Sequence, residues 1–194
     1  PAPIQPKRYT STNQMEFRSE KYALELIEES NYKFNSKDNV REYGHEYILD
    51  ESNINTHGII ELNTNNSCVL GASGGNTLTH LNSLIMDKDR CWIAIGDQIV
   101  SLELPTLKKI WSKKIDEATC FGIYEIFESE SFIVHGELEI SKVSYDGEKL
   151  WSFSGQDIFT GSFEIDNNLI NTKDFNEQLY TLSITDGNCI NVEV

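Results

Sequence analysis

A repeat of about 40 residues is the feature of this sequence that most constrains its fold. The segment Trp92 to Trp111 (WIAIGDQIVSLELPTLKKIW) aligns without a gap with Phe132 to Trp151 (FIVHGELEISKVSYDGEKLW). The same register places Asp186-Gly187 under Asp146-Gly147. Similarity at a fixed period of this length is typical of repeat architectures, in which each unit is one supersecondary motif packed against its neighbours. We therefore expect an array of similar structural units.

Each unit is predicted to contain four short strands, because segments rich in β-branched and aromatic residues alternate with turn-forming residues. The first, inner strand ends before an acidic turn, and its copies are Tyr47-Ile48-Leu49, Leu84-Ile85-Met86, Tyr124 to Phe127 and Phe163-Glu164-Ile165. The later turns contain Gly96-Asp97, Gly136-Glu137, Pro105-Thr106, Asp146-Gly147 or Asp186-Gly187. This pattern predicts an all-β fold, a β-propeller-like repeat of four-stranded antiparallel blades. Both a small closed ring and an open arc of blades fit the chain length.

Large aromatic residues recur at matching positions of the aligned units, which indicates packing between neighbouring blades. Trp111 and Trp151 form one such pair, and Trp92 with Phe132 forms a second. Burying a ring of this size contributes on the order of 2 to 3 kcal/mol to stability. We expect these rings to lie in the core rather than on a ligand-binding surface.

The repeat becomes weaker toward the N-terminus. Gly58 to Val69 is predicted to form the third and fourth strands of a unit, with Asn65-Asn66 in the turn. Residues 19–30 fit either a strand, because Leu24 and Leu26 alternate with charged residues, or a helix. We expect one domain, residues 1–194, divided into a tail or edge strand (1–16), a partial first unit or covering segment (17–45) and repeat units (46–194).

The segment Leu179 to Gly187 (LYTLSITDG) resembles the blade signature of pyrroloquinoline-quinone-type β-propeller repeats. In that family a Leu-Tyr-Ala-Leu-Asp-Ala run leads to Thr-Gly, and a Trp follows after three residues. Trp151 follows Gly147 at this spacing, whereas Leu107 replaces the Gly in one unit and Asn191 replaces the Trp in the last. The resemblance covers roughly residues 45 to 191 and implies the blade shape. Quinone enzymes that resemble this family often use a pair of adjacent cysteines, and the four cysteines of this chain are nowhere adjacent. The resemblance therefore does not imply the quinone chemistry of the family.

The charge balance limits the choice of partner. The chain has 31 acidic and 16 basic residues, a net charge of −15, and phosphate binding requires clustered Lys and Arg. Nucleic acid is therefore excluded as the expected partner, and a basic protein is favoured. If turns of successive blades share one rim, their charges act together, so we predict a partner-binding surface at Asp87, Asp89, Glu128 and Glu130. The alternative is that these side chains are only solvated surface residues.

Motifs for catalysis, metal binding and cofactor binding are missing from the sequence. The four histidines form no HExxH motif, no cysteine pair has C-x-x-C spacing, and the glycine-rich stretch Gly71 to Gly75 is not followed by a Lys. We therefore expect no catalytic residue, no metal and no cofactor. Wide cysteine spacing favours free thiols, and the absence of a long apolar run favours a cytoplasmic protein without a membrane segment.

Three classes of function fit this sequence. The first is a non-catalytic protein-interaction module with an acidic surface, for which a bacterial immunity-type protein that binds a basic partner is one version. The second is an enzyme or carbohydrate-binding propeller with a carboxylate-lined cleft. The third is a scaffold subunit that pairs through its sheet edges, which includes association into a homo-oligomer.

Overall fold

A computed structural model of the chain describes residues 9–11, 14–50 and 55–193. Over these residues the chain forms 18 β-strands in four sheets, one turn of 3-10 helix at Phe127–Ser129 and no α-helix. The predicted all-β fold, a β-propeller-like repeat of four-stranded antiparallel blades, is confirmed.

Three of the four sheets are four-stranded antiparallel meanders in sequence order. The second sheet contains β7 (Leu84–Asp87), β8 (Arg90–Ile95), β9 (Gln98–Glu103) and β10 (Lys109–Lys114). The third contains β11 (Cys120–Ile126), β12 (Ser131–Gly136), β13 (Ile140–Ser144) and β14 (Lys149–Phe153). The fourth contains β15 (Phe163–Asp166), β16 (Leu169–Lys173), β17 (Leu179–Ser183) and β18 (Cys189–Glu193).

The first sheet has six strands and a different topology. It contains β1 (Tyr9–Ser11), β2 (Gln14–Arg18), β3 (Ala23–Glu28), β4 (His45–Ile48), β5 (Asn55–Glu61) and β6 (Ser67–Ala72). Their order in the sheet is β1-β2-β3-β5-β6-β4. Of the two alternatives for residues 19–30, the structure has the strand.

The prediction that Tyr47-Ile48-Leu49 forms an inner strand is wrong. This segment forms β4, which pairs in parallel with β6 on the outer side of the sheet, and β2 lies at the inner position instead. The short apolar pattern of the segment is the same for an inner and an outer strand, so the sequence does not distinguish them. The expected third and fourth strands are present as β5 and β6, and Asn65 lies in their turn with φ 60°.

The apolar core lies between successive sheets in three clusters. Representative members are Leu26 and Ile93 in the first cluster, Ile99 and Val134 in the second, and Ile133 and Leu182 in the third. Among the described residues, no core cluster joins the fourth sheet to the first. Over the described residues the packing therefore follows an open arc.

The outer-strand tryptophans pack between blades, as predicted. A Cβ placed on Gly147 would lie 3.1 Å from the Trp111 ring, and one placed on Gly187 would lie 2.6 Å from the Trp151 ring. Trp111 Nε1 donates a hydrogen bond to the Tyr145 carbonyl, 3.2 Å away, and Trp151 Nε1 donates to the Ile184 carbonyl at 3.1 Å. Each half-buried indole therefore anchors its blade to the last turn of the next blade.

The predicted equivalence of Trp92 and Phe132 is wrong, although both rings are buried. Trp92 pairs with Ser101 and faces the third sheet, whereas Phe132 pairs with Val143 and faces the second sheet. The two rings contact each other across the interface, with centroids 6.2 Å apart. The ungapped alignment is therefore shifted by one residue, and a one-residue shift moves a side chain to the other face of a strand.

Candidate functional site

Three of the four predicted acidic residues line a groove of about 890 Å³, which we call the turn groove. It is formed where the β7–β8 and β9–β10 turns approach the β2–β3 turn and the β13–β14 turn. Its lining residues are Lys21, Tyr22, Asp87, Lys88, Asp89, Arg90, Trp92, Glu103, Leu104, Pro105, Ile110, Glu130, Tyr145 and Asp146. Turns of three successive sheets thus share one surface, as the sequence predicted for a common rim.

Local turn geometry positions the carboxylates. Asp87 ends β7 and Asp89 lies two residues later, on either side of Lys88, which has φ 50°. Glu130 follows the 3-10 turn with φ 43°. Glu128 is exposed on that 3-10 turn and does not line the groove. Three of the four predicted residues therefore converge, and their role in partner binding stays a prediction.

Asp89 is held by two donors from the first sheet. Lys21 Nζ and the Tyr22 hydroxyl both donate to Asp89 Oδ1, each at 2.5 Å. The hydrogen bonds from Lys21 and then Tyr22 lower the pKa of the Asp89 carboxyl below its usual range. The same bond to Asp89 raises the pKa of Lys21. Asp89 is therefore ionised and paired at neutral pH.

The remaining cations of the groove are paired as well. Lys88 Nζ lies 3.2 Å from Glu130 Oε1 and 3.7 Å from Asp87 Oδ2, and the hydrogen bond to Glu130 raises the pKa of Lys88. Arg90 Nη1 donates to Asp146 Oδ1 at 2.8 Å. The lining contains five carboxylates and three cations, so an excess of two negative charges remains.

Apolar side chains line the turn groove beside the charged ones, which was not anticipated from the sequence. Trp92, Leu104, Pro105, Ile110 and Tyr145 contribute to its lining. Trp92 Nε1 and Trp111 Nε1 both donate to the Tyr145 carbonyl, at 3.0 and 3.2 Å. The groove therefore combines apolar and charged side chains, as protein interfaces do.

A second, smaller groove of about 300 Å³ lies where the inner strands of all four sheets converge, and we call it the axial groove. Its lining residues are Phe17, Leu81, Asn82, Leu84, Ile85, Ile123, Tyr124, Glu125, Phe127 and Ile165. Glu125 Oε1 accepts a hydrogen bond from the Tyr145 hydroxyl at 2.5 Å. Burial of Glu125 raises the pKa of its carboxyl, and the nearby Asp87 adds to this effect.

Three of the four cysteines are buried, and Cys189 is exposed. All four cysteines are free, and burial raises the pKa of Cys68, Cys91 and Cys120. Within the part of the chain that the structure describes, no group of three or more His, Cys, Asp or Glu side chains is arranged to hold a metal ion. Over the same residues, no helix has the length and apolar character needed to cross a membrane.

Comparison with known proteins supports the fold. No protein-family model matches the sequence, and no curated protein matches it. The computationally designed Ika8 protein is similar in structure, with a TM-score of 0.57 and 9% identity over 92% of this chain and 48% of that chain. BamB from Moraxella catarrhalis has a TM-score of 0.49 and 12% identity over 97% and 63% of the two chains. The Pan2 WD40 domain of Neurospora crassa has a TM-score of 0.49 and 11% identity over 58% and 37%.

The similarity to the designed protein concerns the fold alone. The chain is a β-propeller-type repeat, and it spans about half the length of the designed protein that it matches. The resemblance to pyrroloquinoline-quinone-type repeats therefore extends to the blade shape, and membership of that family stays a prediction.

Proposed function

We propose that this protein is a non-catalytic protein-interaction module whose turn groove binds a basic partner. The observation that carries the proposal is the convergence of Asp87, Asp89 and Glu130 in one groove that apolar side chains also line. The excess negative charge of the groove has the same sign as the net charge of −15 of the whole chain. Long-range attraction would accelerate encounter with a cationic surface, and contacts with the apolar lining residues would retain it.

The carboxylates are better suited to docking than to acid–base chemistry. Asp89 and Glu130 each bond to a lysine, and Asp146 bonds to Arg90. A partner that brings its own lysines or arginines would exchange with these internal cations. In its finer form the proposal is a cytoplasmic, immunity-type role in which the groove covers a basic toxin, and no cofactor is involved.

The first prediction tests the groove by charge reversal. After the partner has been captured at low salt, association rates are measured for the variant Asp89→Lys/Glu130→Lys. The control Glu164→Lys/Asp166→Lys changes the charge equally on exposed residues of β15. We expect the groove variant to associate at least about 10-fold more slowly at low salt, whereas the control changes little and the dissociation rate is similar.

The salt dependence separates the proposal from its alternative. The difference between the two variants should shrink at high ionic strength, because exposed charges are screened within about 10 Å at 0.1 M salt. Equal association rates for both variants would show that the acidic residues only keep the protein soluble, and the proposed function would then be abandoned.

A further inference from the structure

The axial groove contains an open strand edge. β11 is the inner edge strand of the third sheet, and it pairs with β12 on one side only. On its other side the loop before β7 makes two contacts with it. The Ile123 N–H donates to the Asn82 carbonyl at 2.8 Å, and His80 Nε2 lies 2.6 Å from the Phe121 carbonyl oxygen.

These two contacts lie along the edge of β11, and between described residues no further backbone hydrogen bond reaches this edge at Glu125. His80 Nδ1 accepts from the Asn82 N–H at 3.2 Å, so Nε2 is the protonated nitrogen and donates to Phe121. Because the Ile123 N–H points away from β12, the main-chain groups of Glu125, two residues later, point the same way. The edge of β11 at Glu125 therefore faces the axial groove.

In the first sheet the corresponding inner edge is covered by another strand. There β1 pairs antiparallel with the inner strand β2, with Tyr9 opposite Met15. An extended segment thus already lies along one of the four inner edges. Over the described residues, no strand is added to the inner edges of β7, β11 or β15.

The charge of the groove favours a cation. Glu125 is half-buried among apolar residues of the lining, and the contact made by its carboxylate is with the neutral Tyr145 hydroxyl. None of the ion pairs between described residues reaches Glu125. A buried carboxylate without a cation is stabilised when a positive charge enters the site.

We propose that the axial groove binds an extended peptide segment that adds a short strand to β11 and places a basic side chain against Glu125. Main-chain hydrogen bonds to the edge would supply affinity, and the side-chain pocket would supply specificity. The apolar peptide residues that flank the basic residue would contact Phe17, Tyr124 and Ile165 of the groove. The volume of about 300 Å³ is at the lower end of the usual range of ligand sites, which suits one side chain and a short strand.

The test uses the acetylated and amidated hexapeptide Thr-Val-Lys-Val-Thr-Val as the probe. Amide chemical shifts of the ¹⁵N-labelled protein are followed during titration, and we expect the residues of β11 around Glu125 to shift with saturation. Two control peptides, one with Glu in place of Lys and one N-methylated at alternate residues, should bind at least about 5-fold more weakly, since they lack the cation and the main-chain donors respectively.

A protein variant completes the design. Glu125→Gln should weaken the lysine peptide at least about 5-fold, whereas the matched exposed change Glu164→Gln should leave its affinity unchanged. Unchanged shifts at β11, or equal binding of the lysine and glutamate peptides, would overturn the proposal. Shifts confined to Asp87 through Arg90 would also overturn it, because they would assign the peptide to the turn groove instead.

Discussion

The outer-strand tryptophans show how single residues hold neighbouring sheets together. Each indole lies over a turn residue in the left-handed region, where glycine is favoured: φ is 81° at Gly147 and 73° at Gly187. At the equivalent turn of the second sheet, Leu107 has φ 56°, and its carbonyl accepts from the Tyr47 hydroxyl at 3.3 Å. Tyr47, on the parallel strand β4, therefore links the first sheet to the last turn of the second sheet. Trp111 and Trp151 make the corresponding links for the second and third sheets.

This contact predicts a measurable coupling between Trp151 and Gly187. Trp151→Ala should lower the free energy of unfolding by about 3 kcal/mol, and Gly187→Ala by about 2 to 4 kcal/mol, because the new methyl group meets the ring and φ is positive. In the Trp151→Ala background the cost of Gly187→Ala should fall by at least about 1 kcal/mol. Denaturant unfolding of the four proteins measures this difference. Additive costs would show that the ring and the turn do not interact.

Two histidines are buried as neutral side chains. His57 Nε2 lies 3.1 Å from the Thr77 carbonyl oxygen and His135 Nε2 lies 3.2 Å from that of Phe159. Burial lowers the pKa of each to about 4. Between pH 6.5 and pH 4 the unfolded chain therefore binds more protons than the folded one, so the stability contributed above pH 6.5 is lost as the pH falls.

His135→Gln should accordingly reduce the pH dependence of stability. From pH 7 to pH 5 each buried imidazole contributes a loss of about 1 to 2 kcal/mol, so the variant should lose that much less than the parent. The comparison is made on the change between the two pH values, because glutamine also alters stacking on Phe163, whose ring centroid lies 4.4 Å away. The same loss in both proteins would show that His135 is protonated without cost in the fold.

At the scale of elements, the sequence predicted strands well and register less well. The 40-residue period, the hairpin turns and the strand pattern were sufficient for the second, third and fourth sheets. The one-residue shift in the alignment of Trp92 with Phe132 arises from the β9–β10 turn. Leu107 N–H bonds to the Glu103 carbonyl four residues back, whereas Gly147 N–H bonds to Ser144 three residues back. The β9–β10 turn is thus one residue longer, and an ungapped alignment cannot contain that difference.

The candidate site was predictable only in part for a related reason. Asp87, Asp89 and Glu130 were found because acidic residues follow short strands, and the repeat places such turns on one rim. Their partner Lys21 comes from a sheet whose repeat pattern is weak, 68 residues away from Asp89 along the chain. Tyr145 lies in the aligned repeat segment but has no role in the prediction, although its ring and hydroxyl connect the two grooves. Contacts between distant elements have no periodic signal in a single sequence.

At the scale of the whole molecule, the open arc gives the sheets unequal support. The second and third sheets have apolar neighbours on both faces. The outer face of the first sheet is covered by the segment after β3, where the Tyr43 hydroxyl lies against Gly58. The outer face of the fourth sheet is mostly polar, and there the Thr181 hydroxyl donates to Asn171 Oδ1 at 2.9 Å.

Hydrogen exchange should therefore be slowest in the middle of the arc and fastest at the fourth sheet. Amides of β8, β9, β12 and β13 are expected to exchange only by global unfolding, since opening either sheet exposes two apolar interfaces. Amides of β18, where Ile190 and Val192 are 62% and 46% exposed, should exchange at least about 10-fold faster by local opening. Mass spectrometry of peptides after timed labelling measures both sets in one sample. Uniform protection across the four sheets would mean that the arc unfolds as a single cooperative unit, with the fourth sheet stabilised by more than its one interface.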